Sequence, residues 1–169
     1  EGLRVVMVQP EQIFNGFSGG VRDIGATRDF MRMFYERGLT NTDLPKYLLL
    51  IGDGSYDHKD RKPGNDNYIL AYESVNSLDP TASYVSDDYI GLLDPNEGAW
   101  GSTETVDLGI GRFPVQTLQQ ANHIADKIIY YATASSTMRD WRNNVVFIGD
   151  DEDAKTHMQQ ANQLAQILE

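Results

Sequence analysis

The sequence predicts an α/β fold, a mainly parallel sheet flanked by helices on both faces. Two observations carry this. Near-continuous apolar runs such as "YLLLI" (47–51) and "VVFIG" (145–149) suit strands buried on both sides. Stretches of helical periodicity, such as "VRDIGATRDFMRMFYERG" (21–38), alternate with them.

The elements follow in order. "LRVVMVQ" (3–9) predicts a strand near 3–8, and Pro10 opens a short helical turn through Phe14. "FSGG" (17–20) is a break. A helix near 22–37 places Ile24, Thr27, Phe30, Met31 and Phe34 on one face, with Gly38 as its stop. "KYLLLIG" gives a strand near 46–51. The stretch 53–104 is rich in Gly, Pro, Asn, Asp and Ser, with apolar pieces only at "YILAY" (68–72) and "YIGLL" (89–93). It reads as long functional loops carrying a hairpin or two short strands. "VDLGIGRFP" (106–114) predicts a strand near 106–111. Thr117 and Gln120 then form a capping box for a helix near 117–132, with Leu118, Ala121, Ile124, Ile128 and Tyr131 inward. "NNVVFIGDD" gives a strand near 144–149. Asp151 or Asp153 caps a last helix near 153–168, with Met158, Ala161, Ala165 and Leu168 inward. The whole of 1–169 reads as one α/β subdomain.

Composition narrows the function classes. The 169 residues carry 25 acidic against 14 basic side chains, for a formal charge of −11. Phosphate is repelled by such a surface, so nucleic acid is not the expected partner. There is no Cys, hence no thiol nucleophile, zinc–thiolate site or disulfide within these residues. No apolar run is long enough to span a bilayer as a helix, and the first residues show no signal-peptide pattern. Residue 1 opens almost directly onto a strand, as in a mature or excised piece.

Chemistry-bearing residues concentrate in "PKYLLLIGDGSYDHKD" (45–60). Asp53, Asp57, His58, Lys59 and Asp60 follow a strand, where open α/β sheets keep their sites. A His–Asp pair there suits a metal or acid–base work, which makes a metal-dependent hydrolase centred on Asp53, Asp57 and His58 one reading. No zinc-hydrolase spacing accompanies it. His123 reads as a helix-flank residue and His157 as solvated. "GDGSYD" lacks the G-x-S-x-G elbow, and "GDGS" and "GIGR" match neither a P-loop nor a dinucleotide fingerprint. "FIGDD" follows the last strand, not the first, so a receiver-type acidic pair is rejected. In "YVSDDYIGLLDP" (84–95), Asp87, Asp88 and Asp94 suit Ca²⁺ or a cationic substrate group, or else they cap backbone in a solvated turn.

Five segments, in order, resemble one family: "IFNGFSGG", "RDFMRMFYERG", "PKYLLLIGDGSYDHKDR", "YVSDDYIGLLD" and "LGIGRFPVQTLQQANHIADKIIYYA". They look like the gingipain-type cysteine peptidases of the caspase-like clan. The resemblance covers essentially the whole chain and is closest to the surface sortase branch of the bacterial type IX secretion system. It implies two α/β subdomains side by side, of which this chain is similar to the first. The family's catalytic pair is a His in a "TGHG"-type motif and a Cys after a later apolar strand. Neither motif occurs here, so the resemblance places the pair beyond residue 169, and none of His58, His123 or His157 inherits the role. In the Arg-specific members, the Asp of a Ser-Asp-x-x-x-Gly loop sits in the pocket for the substrate's basic side chain. "SDDYIG" matches with Ser86, Asp87 and Gly91, which implies a substrate-binding Asp87. Asp53, Asp57 and His58 are then cleft-shaping. The implied partners are a second catalytic subdomain, the C-terminal signal domains of secreted cargo, and other outer-membrane secretion components. The implied location is the bacterial outer-membrane surface, with no cofactor. A caspase-like scaffold or binding module without catalysis is the remaining alternative.

Overall fold

In a computed structural model, residues 2–59, 61–75, 78–79, 81–99 and 103–168 are described. The chain divides into two compact units, Glu1–Ala125 and Asp126–Glu169.

In the first unit, Pro10 starts helix α1 (Pro10–Phe17), and the Gln9 amide donates to the Gln12 side chain at 3.0 Å. The "FSGG" break then closes the helix, with the amides of Ser18 and Gly20 both donating to Phe14 O. Gly19 and Gly20 have φ of +62° and +87°, a conformation that favours glycine. Asp23 caps α2 (Ile24–Arg37) by accepting from Gly25 N, and Gly38 ends it by donating to Phe34 O and Tyr35 O. Strand β1 (Tyr47–Ile51) pairs in parallel with β4 (Gly109–Phe113), Tyr47 opposite Gly109 and Ile51 opposite Phe113. A second ladder is antiparallel and short, β2 (Tyr72–Glu73) against β3 (Val85–Ser86). A 3₁₀ turn over Asp88–Gly91 follows β3.

The core forms where α2, β1 and this turn meet. Met31, Leu50, Ile90, Leu93 and Leu108 are buried together, with Ile24, Phe30, Leu48 and Ile110 against them. Ile90 and Leu93 have no exposed surface, and burial of such side chains stabilises by about 1.5–3 kcal/mol each. A second cluster joins Phe14, Ala26 and Leu70. The apolar loop pieces at 68–72 and 89–93 are therefore core anchors.

The class is mixed α/β with a parallel sheet, as the sequence predicts, but several element boundaries differ. Residues 3–8 and 144–149 form no strand ladder. Val5 and Val146 are 80 % and 77 % exposed. An apolar run shows that a segment suits burial, whereas a strand also needs a hydrogen-bonded neighbour. The strand expected at 106–111 is shifted to Gly109–Phe113, because Asp107 instead donates its amide to Gly91 O. Along β1, Leu50 is buried while Tyr47, Leu49 and Ile51 are exposed, so its apolar run is not enclosed on both faces.

Helix α3 (Leu118–Thr133) begins in the first unit, and the division between units falls inside it. Its predicted capping box is present: Gln120 N donates to Thr117 Oγ1, and Thr117 N donates to Gln120 Oε1, both at 3.2 Å. None of its residues is fully buried: of the predicted stripe, Ala121 and Ile124 are half-buried, whereas Leu118, Ile128 and Tyr131 are exposed. In the second unit, Thr137 Oγ1 meets Tyr131 O and Ala134 O at the end of α3, and the Arg142 guanidinium lies 3.9 Å from the Tyr131 ring centre. Helix α4 (Thr156–Leu168) starts later than predicted, because Ala154 and Lys155 have φ of 57° and 64° and interrupt the helical path. Cap assignment to Asp153 and inward packing of Leu168 concern side chains outside the described residues.

Candidate functional site at the strand exits

The carboxyl ends of β1 and β4 run on side by side. Gly52 N donates to Phe113 O at 3.0 Å and Asp53 N to Val115 O at 2.9 Å. Segment 68–69 returns against this exit, with the amides of Tyr68 and Ile69 both donating to Asp53 O. The two glycines of "GDG" make that approach possible. A Cβ on Gly52 would stand 2.8 Å from Tyr68 Cβ, and one on Gly54 would stand 2.9 Å from Ile69 O.

A cleft of about 330 Å³ opens here, lined by residues that include Asp53, Ser55, Tyr56, Asn65, Asp66 and Gln116. The Asp53 carboxylate accepts from Gly54 N at 3.0 Å and from Gln116 Nε2 at 2.9 Å, joining the exits of the two strands. Buried Asn67 braces the floor. It accepts from Ser55 N at 2.6 Å and donates to Asp57 O at 2.9 Å. Asp57 is buried too and accepts from Lys62 N at 2.6 Å, closing its own loop. At the rim, Lys62 Nζ donates to the Tyr56 hydroxyl at 2.9 Å. That bond lowers the Tyr56 phenol below its ordinary value, and the same partner raises Lys62.

His58 faces neither aspartate. Its Nε2 lies 3.5 Å from Glu73 Oε1 on β2, and both atoms are buried without a hydrogen bond. The metal-hydrolase reading requires Asp53, Asp57 and His58 to converge. Instead each turns to a different neighbour, and among the described residues no three His, Asp or Glu side chains gather where they could hold a metal ion. That reading is corrected. His123 is exposed on α3, and Asp60 lies outside the described residues.

Asp87 lies at the start of the 3₁₀ turn, its carbonyl accepting from Ile90 N. Both of its carboxylate oxygens are taken by one side chain. Arg112 Nε donates to Oδ2 at 2.8 Å, and Nη2 donates to Oδ1 at 2.7 Å. The remaining guanidinium hydrogens go to Gly52 O and Ile69 O at 2.9 Å and to Leu70 O at 3.1 Å. All five donors of the planar fork are thus used. The side chains of Arg112 and Asp87 are 14 % and 22 % exposed. Asp88 is exposed, and its amide donates to Ser86 Oγ at 3.0 Å. Asp94 accepts from the Tyr35 hydroxyl at 3.1 Å. Sequence reasoning missed Arg112 and Asn67. A signal for Arg112 exists: an arginine inside the strand run "GIGRF" must find partners if it is to be covered.

The whole chain, residues 1–169, matches peptidase family C25. The chain belongs to that family. No curated protein and no solved structure gives a match. Membership makes this a gingipain-like cysteine peptidase domain, in accord with the resemblance read from its five segments. Among the described residues, no helix is long and apolar enough to cross a membrane.

Proposed function

We propose that this chain is the N-terminal, cleft-forming subdomain of a C25 cysteine endopeptidase of the PorU type, the sortase of the type IX secretion system. The observation that supports the peptidase part of the reading is the family match over all 169 residues, and the sortase part follows the resemblance of the five segments. The cleft beside the exits of two parallel strands supports it, since such exits are where α/β folds build their sites. The sequence contains no Cys, so the nucleophile comes from another part of the parent, a second catalytic subdomain. There a His-activated thiolate attacks the peptide carbonyl and the peptide C–N bond breaks, the departing amine taking its proton from the His; water or another amine then attacks the acyl-enzyme and frees the thiolate. In this scheme Asp53 forms the cleft wall, while Asp57 fixes the loop behind it and His58 lies behind the wall towards β2. The C-terminal signal domains of secreted cargo are the substrates. Other outer-membrane components of the system are the neighbours, at the bacterial outer-membrane surface.

The test has two arms. The isolated chain should hydrolyse no peptide and should take no label from a thiol-directed inhibitor. Turnover by the purified chain that disappears in His58→Ala would overturn the reading. In cells carrying the parent protein, Gly54→Ala, which crowds the cleft wall, should leave the signal domain attached to cargo. Normal cargo processing, with the variant present in wild-type amounts, speaks against the sortase assignment.

A further inference from the structure

We infer that the strand-exit cleft holds the main chain of a bound peptide through two hydroxyl hydrogens, those of Ser55 and Tyr56, which donate to the peptide's carbonyl oxygens. The inference rests on the peptidase reading and deepens it: this cleft recognises backbone and not a particular side chain.

Both residues line the cleft of about 330 Å³, and each hydroxyl oxygen is already claimed from within the protein. Asp57 N donates to Ser55 Oγ at 3.1 Å, and Lys62 Nζ donates to the Tyr56 hydroxyl at 2.9 Å. A hydroxyl has one hydrogen beside its acceptor lone pairs. With the acceptor side engaged, the hydrogen is left to seek a partner of its own. Among the described residues, no protein acceptor takes the hydrogen of either one. The Lys62 bond also holds the Tyr56 phenol below its ordinary value, and a more acidic O–H is a stronger donor. The wall supplies the complementary groups. Asp53 and Asp66 line the same cleft and can accept amide hydrogens. A row of donors facing carbonyls and acceptors facing amides suits an extended peptide. A free carboxylate or phosphate would meet the two aspartates and be repelled. The loop 55–62 is thus braced from behind, by Asp57 N and Lys62 Nζ, so that its two hydroxyls face outward.

The experiment uses the parent peptidase and a series of otherwise identical peptides, each with one carbonyl replaced by a thiocarbonyl, a weaker acceptor. At one position the replacement should raise the wild-type KM at least fivefold, with kcat little changed. Tyr56→Phe should raise KM for the ordinary peptide by a similar factor and become indifferent to the thiocarbonyl at that position. Lys62→Met, which frees the loop but keeps the phenol, should stay sensitive there. Ser55→Ala should lose sensitivity at a second position, and the Tyr56→Phe arm decides even if Ser55→Ala does not fold. A Tyr56→Phe enzyme that every thiocarbonyl penalises as much as the wild type overturns the proposal. So does a Lys62→Met enzyme that loses the same sensitivity as Tyr56→Phe, since the phenol would then only brace the loop. If the parent cleaves no peptide, the peptidase reading falls, and the cleft is tested in the chain itself by NMR titration with a blocked tetra-alanine peptide. Shifts at Ser55 and the Tyr56 ring, with at least threefold weaker binding in Tyr56→Phe, uphold the backbone site, and no shift at either residue overturns it.

Discussion

Two acid–base pairs stand close to the same loops, and they are built differently. Arg112 and Asp87 share two hydrogen bonds, and every other guanidinium hydrogen has an acceptor. His58 and Glu73 approach to 3.5 Å, yet the facing atoms bond to nothing. Both pairs are partly covered, so burial alone does not separate them. The difference lies in donor geometry. A guanidinium presents a fixed fork that meets a carboxylate and several carbonyls at once. An imidazole presents one nitrogen in one direction, and at that distance it does not reach. The first pair ties four segments together, while the second is proximity without a bond.

The comparison can be broken from its strong side first. Arg112→Met in the isolated chain leaves Asp87 charged, covered and alone. Loss of one partner of such a pair costs about 3–5 kcal/mol, which a chemical denaturation midpoint will register. A loss below about 1 kcal/mol, the range of an exposed ion pair, would put Arg112 in the same class as His58. Next in size is Gly54→Ala, which drives a methyl group to 2.9 Å from Ile69 O and so pushes away a segment that Arg112 also holds. Overpacking of this kind costs about 1–3 kcal/mol. Coupling between Gly54→Ala and Arg112→Lys in a double-mutant cycle would locate both effects in the same segment. On the weak side, replacing His58 and Glu73 together by Leu should change stability little or raise it, because neither facing atom has a bond to lose. A marked loss would show a real ion pair there.

A third contact gives the smallest effect and a sign. Hydrogen bonding to Asp94, with the nearby Asp107 charge, raises the Tyr35 phenol above its ordinary value of 10.0. A raised acid is stabilising while protonated. Its contribution is therefore complete below pH 10.0 and declines as pH rises through the higher folded value. The stability difference between the native chain and Tyr35→Phe should be constant at neutral pH and shrink above pH 10.0. A difference that grows with alkalinity would contradict the assigned cause.

Much of the frame was legible because its signals are local. Thr117 and Gln120 form the predicted capping box, and Gly38 stops α2 where the periodicity ends. Strand β1 follows from its apolar run and its glycine exit. Long-range features were not legible. Nothing in "LRVVMV" says whether another strand lies beside it, and that pairing alone separates a strand from an exposed extended segment. The site shows the same limit. Asp53, Asp57 and His58 look like one cluster because they are near in sequence. In space their partners are Gln116, Lys62 and Glu73, and only folding discloses those choices. Arg112 lies 25 residues beyond Asp87, outside any motif window.

Three of the acceptors on Arg112 are main-chain carbonyls, and this bears on how the region breathes. A loop held by its own side chains can lift alone, at the cost of those contacts. Here the exit of β1, the 69–70 segment and the turn that begins at Asp87 hang on a single planar group. Releasing any one leaves the cation short of a partner, so partial detachment is disfavoured relative to detachment of all three. The region should therefore exchange its amide hydrogens as one unit, with Asp53, Tyr68, Ile69 and Ile90 sharing a single opening free energy. For the cleft beside the strand exits, such concerted motion means that its wall is either whole or gone.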